Sequence, residues 1–172
     1  MDEKVHLLDQ AQDQLKAQTS QDVLDRISSL QADLKALDKE NESLNARLAN
    51  QEADNIFQDV REVAGYQVIA QEAKVKDMGQ LRQLADKWKE SDYSDILVLG
   101  LRKAGKVNLI VACKDSAISD GIKAGDLIKH LAQFVGGGGG GRPDLAQAGG
   151  SKPEGLDKAL QESFTWIEDN GN

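Results

Sequence analysis

The sequence predicts an α/β protein in two parts. Residues 1–61 form a long N-terminal helical coiled-coil stalk, and residues 66–172 form a small mixed-sheet α/β domain with a glycine-rich loop. The first 61 residues contain neither glycine nor proline, and apolar residues recur along them at heptad spacing. Beyond Gly65, short apolar runs alternate with amphipathic segments and glycine-containing turns, a pattern that is typical of mixed α/β domains.

The stalk is predicted to contain two helices, because its apolar residues form two stripes that are out of phase. The first stripe ends at Leu15 and the second begins at Val23, which is eight residues later and breaks a heptad repeat of seven. Thr19 or the serine that follows it can cap a new helix. We therefore expect one helix over 3–17 and a long second helix from about 21 to 61.

The second helix carries a narrow apolar seam that must be buried against something. Self-association into a homodimer is the predicted use of this seam. Packing against helix 3–17 or inside a larger protein remains an alternative, because heptads also occur in intramolecular hairpins. Asn41 lies on the seam, where a buried amide commonly fixes the register of a coiled coil. The residues predicted to form the dimer contact are Ile27, Leu30, Leu34, Leu37, Asn41, Leu44 and Leu48.

In the second part, segments typical of strands and segments typical of helices are intermixed, which predicts a mixed sheet. Two apolar runs joined by the glycine-containing turn 103–106 predict a β-hairpin. Asp77 and Gln80 form a capping pair for one helix, and Ser151–Glu154 resembles a capping box for a last helix that ends near Asp169. The predicted elements are strands at 66–70, 96–101 and 107–113 and helices at 78–90 and 121–135.

Charge is distributed unevenly along the chain. The formal charge is −8 and the pI is about 4.8, which does not suit nonspecific binding to nucleic acid. Most of the acidity lies in residues 1–65, whose net charge is −7, whereas residues 102–152 have a net charge of +4. The second part can therefore present a local basic face, while no DNA partner is expected.

Six consecutive glycines at 136–141 are the most informative feature. Such a run can be a flexible linker, but apolar residues that need burial follow it. We interpret it as a backbone-exposed loop within the domain, because glycine lets successive N–H groups point into one concavity that suits an anion or a sugar-phosphate. Arg142 adds a planar donor at its rim. In the alternative interpretation, the loop only closes a tight turn and Arg142 pairs with Asp144.

The run Gly136–Gly150 resembles the signature loop in the C-terminal domain of bacterial alanyl-tRNA synthetases. The turn at 105–107, the segment 125–129 and the segment 155–160 agree with that resemblance, as does the coiled-coil stretch that precedes the domain. The same domain type occurs in DHH-family phosphoesterases, whose loop usually carries a Gly-Gly-His signature. This chain has Arg142 followed by proline instead, which speaks against the phosphoesterase alternative.

The resemblance implies a non-catalytic C-terminal module that binds tRNA, dimerises, and assists both charging and editing. Its expected partners are tRNA(Ala), a second copy of the chain, and the catalytic and editing domains of the parent enzyme. ATP and zinc are expected only in N-terminal domains that this sequence does not include, so no cofactor is expected here. A purely structural dimerisation module is the other alternative. The residues expected to bind RNA are Gly136, Gly137, Gly138, Gly139, Gly140, Gly141, Arg142, Lys103, Lys106 and Lys114.

The remaining reactive side chains do not indicate a catalytic or metal centre. His6, His130 and Cys113 lack the spacing of metal ligands, and Cys113 ends an apolar run typical of a core strand. A single cysteine fits a reducing cytoplasm, the expected location. No apolar run approaches the roughly 20 residues needed to cross a bilayer, so no membrane partner is expected.

Overall fold

The computed structural model describes residues 2–171, and the chain divides into two compact units between Arg47 and Leu48. The first unit contains a short helix and most of a long one. The second unit contains the last turns of the long helix and the entire sheet. The predicted fold class, a long N-terminal helix followed by an α/β domain with a mixed sheet, is confirmed.

In the first unit, α1 spans Glu3–Gln14 and α2 begins at Ser20. The first helix ends three residues earlier than predicted, and Lys16 just beyond it has a φ of 52°, which lies outside the helical region. The hydroxyl of Thr19 accepts a hydrogen bond from the N–H of Asp22 at 3.1 Å. Thr19 therefore caps the second helix, as predicted.

The long helix α2 spans Ser20–Phe57, so the prediction that it reaches residue 61 was wrong. Arg61–Val63 forms β1, which pairs antiparallel with β2 at Tyr66–Glu72. The two residues between these strands both have positive φ, 53° at Ala64 and 84° at Gly65. A two-residue turn of that conformation matches the twist of a β-hairpin, which is why β1 reverses directly into β2.

The second unit contains a six-stranded sheet in the order β1-β2-β3-β4-β6-β5. The contact between β2 and β3 is parallel, and each of the other neighbouring pairs is antiparallel. The predicted hairpin is confirmed as β3 and β4, which pair along their full length. The remaining strands are β3 at Ile96–Lys103, β4 at Lys106–Cys113, β5 at Gly137–Gly141 and β6 at Leu145–Gly150.

Helices cover both faces of the sheet. On one face, α5 lies over β4, β5 and β6, and α6 lies over β2 and β3. On the other face, α3 and the last turns of α2 pack against the central strands. The helices of this unit are α3 at Met78–Lys89, α4 at Asp115–Ser119, α5 at Ala124–Ala132 and α6 at Leu156–Asn170, with 3-10 turns at Gln133–Val135 and Pro153–Gly155.

The alternation of side chains along each strand divides the core into two layers. In β4, Leu109 and Val111 face α5 and α6, whereas Ile110 between them faces α3. Gly100 in β3 lies under α6, where a Cβ would come within 2.4 Å of Leu156 Cδ1. Absence of a side chain at this position therefore lets the start of α6 lie close to the sheet.

Local sequence signals predicted some helix starts correctly and others incorrectly. Asp77 caps α3 by accepting a hydrogen bond from the N–H of Gln80 at 3.0 Å, as predicted. The predicted helix 121–135 begins later, at Ala124, because Gly121 has a φ of 96° and ends a separate short helix, α4. The predicted capping box at 151–154 does not form, since α6 begins after a 3-10 turn with no side-chain cap.

Candidate functional site

The glycine run forms the edge of the sheet and is not a loop. Gly137–Gly141 is β5, which pairs antiparallel with β6 and has a neighbour on one side only. Of the six glycines, Gly136 alone has a positive φ, 65°, and it ends the 3-10 turn that leads into the strand. The predicted concavity lined by successive N–H groups is therefore wrong, because an extended strand turns its N–H groups alternately to opposite sides.

Close contact between two backbones explains why β5 consists of glycine. An ideal Cβ on Gly137, Gly139 or Gly141 would lie 1.7, 2.3 or 2.6 Å from backbone atoms of β6. Real Cβ atoms essentially never approach other heavy atoms below 3.0 Å, so every second residue of the strand requires glycine. At Gly138, by contrast, a Cβ would meet nothing within 4 Å. A side chain there would project into open space.

The free edge of β5 presents backbone donors to solvent. The N–H of Arg142 donates to the carbonyl of Leu145 at 2.9 Å, and bonded pairs alternate along an antiparallel ladder. The N–H groups of Gly138 and Gly140 therefore face β6, and those of the odd-numbered glycines of β5 point away from the sheet. The first three residues of the strand are exposed. The edge thus offers uncovered N–H groups without intervening side chains.

Arg142 and Asp144 form the tip of the β5–β6 hairpin. Arg142 Nε lies 3.3 Å from Asp144 Oδ1, and Lys89 Nζ of α3 lies 2.9 Å from Asp144 Oδ2. The hydrogen bond from Lys89 and the charge of that ammonium lower the pKa of Asp144, and the nearby charge of Arg142 adds a smaller effect in the same direction. The pairing of Arg142 with Asp144 matches the alternative interpretation, yet 71% of the arginine side chain remains exposed.

Lys103 and Lys106 lie at the β3–β4 turn, where they are paired in register. Strand register places this turn beside the start of β5, because Val107 is opposite Gly150, which in turn is opposite Gly137. With one strand between them, β4 and β5 are separated by about 10 Å. These two exposed lysines therefore lie at the same end of the sheet as the first glycines of the edge, with Lys106 two strands from β5 and Lys103 three.

Lys114 lies beyond the other end of β4 and has a structural contact there. Its ammonium donates to the carbonyl oxygens of Lys89 at 2.7 Å and Ser91 at 2.6 Å, and it lies 4.8 Å from the ring of Trp88. These carbonyls end α3, where a cation interacts favourably with the helix dipole. The RNA-binding role of Lys114 stays a prediction, but its charge already stabilises a helix end.

Two lysines that sequence reasoning did not assign lie directly beside the glycines. Lys129 of α5 places its Cε 3.9 Å from the position of a Cβ on Gly140. The side chain of Lys152 covers Gly136, with Cγ and Cδ each 2.9 Å from a Cβ position there. Both lysines contributed to the net positive charge of 102–152. Lys129 lies next to the strand because α5 packs against β5, and Lys152 lies there because its N–H donates to the carbonyl of Val135 at 2.9 Å.

Helix α3 contributes two more cations next to the same hairpin. Arg82 Nη2 donates to Gln147 Oε1 of β6 at 2.8 Å, and Lys89 binds Asp144 at the hairpin tip. Arg82 and Lys89 are seven residues apart, which places them on one side of the helix two turns from each other. Their spacing was visible in the sequence. The partner strand β6 was not predicted, so neither residue could be connected with the glycines.

The seam predicted on the long helix is largely exposed in the single chain. Ile27, Leu30, Leu34, Leu37, Leu44 and Leu48 are 38–62% exposed, and Asn41 is also exposed. Val23 at the start of the stripe differs, with 4% exposure. A row of exposed leucines at this spacing is typical of a helix that has a partner.

The titratable groups near the core do not form a reactive site. Burial raises the pKa of the Cys113 thiol to about 12, and the nearby charge of Asp144 adds to the effect. His130 packs edge-on against Phe134 and lies 3.8 Å from Glu162. Within residues 2–171, no group of three or more His, Cys, Asp or Glu side chains is placed to hold a metal ion. No helix in this range is long and apolar enough to cross a membrane.

Comparison with known proteins connects this architecture with a family. The family model of the DHHA1 domain matches residues 65–169, which contain β2 to β6 and nearly all of α6. The chain belongs to the DHHA1 family. The glycine strand, α3, α5 and nearly all of α6 therefore lie within the matched domain, whereas α2 and β1 precede it.

Relatives extend the similarity to the helical part. The chain is 48% identical to an alanine–tRNA ligase of Lactobacillus gasseri over 96% of its length, and 53% identical to that of Lactiplantibacillus plantarum over 93%. A crystal structure of the C-Ala domain from Aquifex aeolicus alanyl-tRNA synthetase matches with a TM-score of 0.55 and 27% identity, covering 66% of this chain and 97% of that one. The predicted resemblance to the C-terminal region of alanyl-tRNA synthetases is confirmed. The chain spans about a fifth of the length of these ligases.

Proposed function

We propose that this chain is the non-catalytic tRNA-binding and dimerisation region of an alanine–tRNA ligase. In this role it holds tRNA(Ala) while the catalytic and editing domains of the same enzyme act on the acceptor end. Those domains bind ATP and zinc, and this region requires no cofactor of its own. This region carries out its role in the cytoplasm.

The exposed glycine edge of β5 is the observation that carries the RNA-binding proposal. Its outward N–H groups are reached without passing any side chain, so the sugar-phosphate backbone of RNA can approach them closely. Such contacts read the shape and the phosphates of RNA and not the base sequence. This mode suits an acidic protein, because backbone N–H groups bind phosphate without requiring many cations.

Cations on three sides of the edge add electrostatic attraction. Arg142 lies at one end of β5, Lys103 and Lys106 lie on nearby strands at the end of the sheet where β5 begins, and Lys129 lies beside Gly140. Each phosphate neutralised by such a residue releases counterions, so the affinity should fall as salt concentration rises. The positive charge is thus concentrated where the backbone donors are exposed.

A binding experiment with matched variants tests this proposal. We expect Gly138→Val to weaken tRNA binding at least several-fold, because the new side chain projects from the open face of β5 without disturbing the sheet. Arg142→Ala should cost of the order of 1.5–3 kcal/mol if the guanidinium contacts phosphate fully. Controls are Glu62→Val on the edge strand β1 and Lys74→Ala, which removes one cation outside the site.

Filter binding over a salt series gives the affinity and the number of ions released. The RNA-binding proposal fails at this surface if Gly138→Val and Arg142→Ala both remain folded and bind tRNA as tightly as the unmodified chain. Equal weakening by Lys74→Ala would indicate a general effect of net charge and not a localised interface.

The dimerisation proposal rests on the exposed seam of α2. Each seam leucine leaves apolar area in water in the single chain, and burying such area contributes about 25 cal/mol per Å². A second copy offers the same stripe, and Asn41 can then face an equivalent amide across the contact.

Sedimentation equilibrium tests the dimer. We expect the unmodified chain to dimerise at micromolar concentration, and Leu30→Lys with Leu37→Lys to shift the mass toward the monomer, because charges on the seam cannot be buried. The control pair, Ala32→Lys with Ala36→Lys, adds the same charge on other faces of the helix. A chain that stays monomeric at high micromolar concentration would contradict this part of the proposal.

A separate assay addresses the absence of catalysis. We expect the purified chain to show no alanine-dependent exchange between ATP and pyrophosphate and no deacylation of mischarged tRNA. The non-catalytic assignment would be overturned by exchange above background that remains proportional to the amount of this chain as purification proceeds.

A further inference from the structure

The tip of the β5–β6 hairpin contains a carboxylate between two cations, beside a surface proposed to bind phosphate. Asp144 contacts Lys89 through Oδ2 at 2.9 Å and Arg142 through Oδ1 at 3.3 Å. A carboxylate normally repels RNA, so a purely electrostatic view assigns Asp144 an unfavourable role. The geometry of the tip supports the opposite role.

The backbone around Asp144 is anchored on two sides. The carbonyl of Asp144 accepts a hydrogen bond from the N–H of Cys113 at 3.0 Å, which ties it to the end of β4. The carbonyl of Pro143 accepts one from the N–H of Ala124 at 2.8 Å, which ties it to the start of α5. The backbone that carries the carboxylate is therefore tied both to the sheet and to the start of α5.

The two cations, in contrast, are long and mostly exposed, at 71% for Arg142 and 51% for Lys89. Without an anion between them they would repel each other and lose a preferred orientation. The contact with Asp144 is made by Nε of Arg142 and not by the terminal nitrogens of that guanidinium. Those terminal nitrogens form the planar fork that fits a phosphate.

We propose that Asp144 is a positioning residue for RNA binding, which holds Arg142 and Lys89 together so that both contact the same stretch of sugar-phosphate backbone. This inference rests on the proposed RNA-binding function of the β5 edge. Because the carboxylate already orders both cations in the free protein, their side chains lose less conformational entropy when RNA binds. Each long side chain that becomes ordered only on binding lowers the affinity. Asp144 thus increases affinity although it carries a negative charge.

The direction in which substitution of Asp144 changes tRNA affinity tests this proposal. We expect Asp144→Asn to weaken tRNA binding about 3- to 10-fold, which corresponds to ordering one or two side chains. Asp144→Glu, which keeps the charge, should recover part of the affinity. Glu154→Gln removes one negative charge near the opposite end of β5 and should leave binding unchanged or slightly tighter. Tryptophan fluorescence and urea unfolding verify that each variant is folded.

A double-mutant cycle separates positioning from a general structural effect. In an Arg142→Ala background, Asp144→Asn should have much less effect, because the side chain that it orients is absent. Equal weakening in both backgrounds overturns the positioning role. Binding by Asp144→Asn that is as tight as or tighter than that of the unmodified chain also overturns it, since the carboxylate would then be idle or a competitor.

A second measurement tests the cluster without RNA. Carbon-13 NMR of the Asp144 carboxyl should show that its pKa rises toward the ordinary value in Lys89→Ala and, to a smaller extent, in Arg142→Ala. If neither substitution changes it, the cations are not held in solution and the proposal is wrong. If Gly138→Val and Arg142→Ala fail to weaken RNA binding, the proposed function of this edge fails instead.

Discussion

The glycines of β5 allow a prediction in which two neighbouring positions respond in opposite directions. A Cβ on Gly139 would lie 2.3 Å from the carbonyl oxygen of Gln147 and 2.4 Å from the Cβ of Ala148, whereas a Cβ on Gly138 would meet nothing within 4 Å. Neither glycine has a positive φ, so backbone strain does not distinguish them. We therefore expect Gly139→Ala to destabilise the second unit and Gly138→Ala to be tolerated.

The magnitude follows from the contacts. To restore ordinary van der Waals distance at Gly139, the strands must separate by about 1 Å, because the obstructing atoms belong largely to the backbone and cannot rotate away. Overpacking of this kind costs about 1–3 kcal/mol, and stretching ladder hydrogen bonds adds roughly 1 kcal/mol each. We expect a loss of about 2–4 kcal/mol for Gly139→Ala. Gly138→Ala should instead gain up to about 1 kcal/mol, because alanine restricts the unfolded chain.

Urea unfolding followed by tryptophan fluorescence measures the difference, because Trp88 and Trp166 both lie in the second unit. With a slope of roughly 2 kcal/mol per M, the two midpoints should differ by on the order of 1–2 M. Midpoints that agree within about 0.3 M, at equal slopes, would refute the argument that backbone contact requires glycine at alternate positions.

Three further predictions concern side chains around the hairpin tip. Lys114→Met should lower the free energy of unfolding by about 1.5–3 kcal/mol, since the carbonyls at the end of α3 lose a charged donor; urea unfolding that matches the unmodified chain would contradict this role. Cys113, with its pKa raised to about 12 by burial, should react with an aromatic disulfide only as fast as the domain unfolds, and rapid labelling in native buffer would be inconsistent with that burial. Because Lys89 and Arg142 lower the pKa of Asp144, its ionised carboxylate should stabilise the fold above pH 3.8, and this stabilisation should disappear as the pH falls through the lowered pKa. A difference in the free energy of unfolding between Asp144→Asn and the unmodified chain that persists below the lowered pKa would contradict this prediction.

Structural features that depend on local chemistry were predictable from the sequence. The cap of α2 at Thr19, the cap of α3 at Asp77 and the β3–β4 hairpin each depend on residues within a few positions of one another. Periodicity likewise predicted the long helix and the seam along it, since a repeat of three and four residues is sufficient to define one face. The family resemblance added the expectation of RNA binding, which remains a proposal.

The candidate site could be predicted only in part. The glycines, Arg142 and the lysines of the β3–β4 turn were predicted from the sequence as one group, and strand register places these lysines at the end of the sheet where β5 begins. Lys129 was not predicted to lie beside the glycines, and Asp144 was considered only as the partner of Arg142 in the alternative interpretation. Their positions depend on α5 packing against β5 and on the anchoring of the hairpin tip, neither of which leaves a local pattern.

Local patterns in the sequence were sufficient to predict the long second helix, the helix that begins after Asp77, the turn of the central hairpin and the apolar face of the long helix. That Gly137–Gly141 continue the sheet as an edge strand could be seen only in the folded chain. A glycine run has no side-chain alternation, so neither its pairing with β6 nor its register can be read from its own residues. That pairing depends on how closely two backbones approach, and this distance is set by the helices and strands around them.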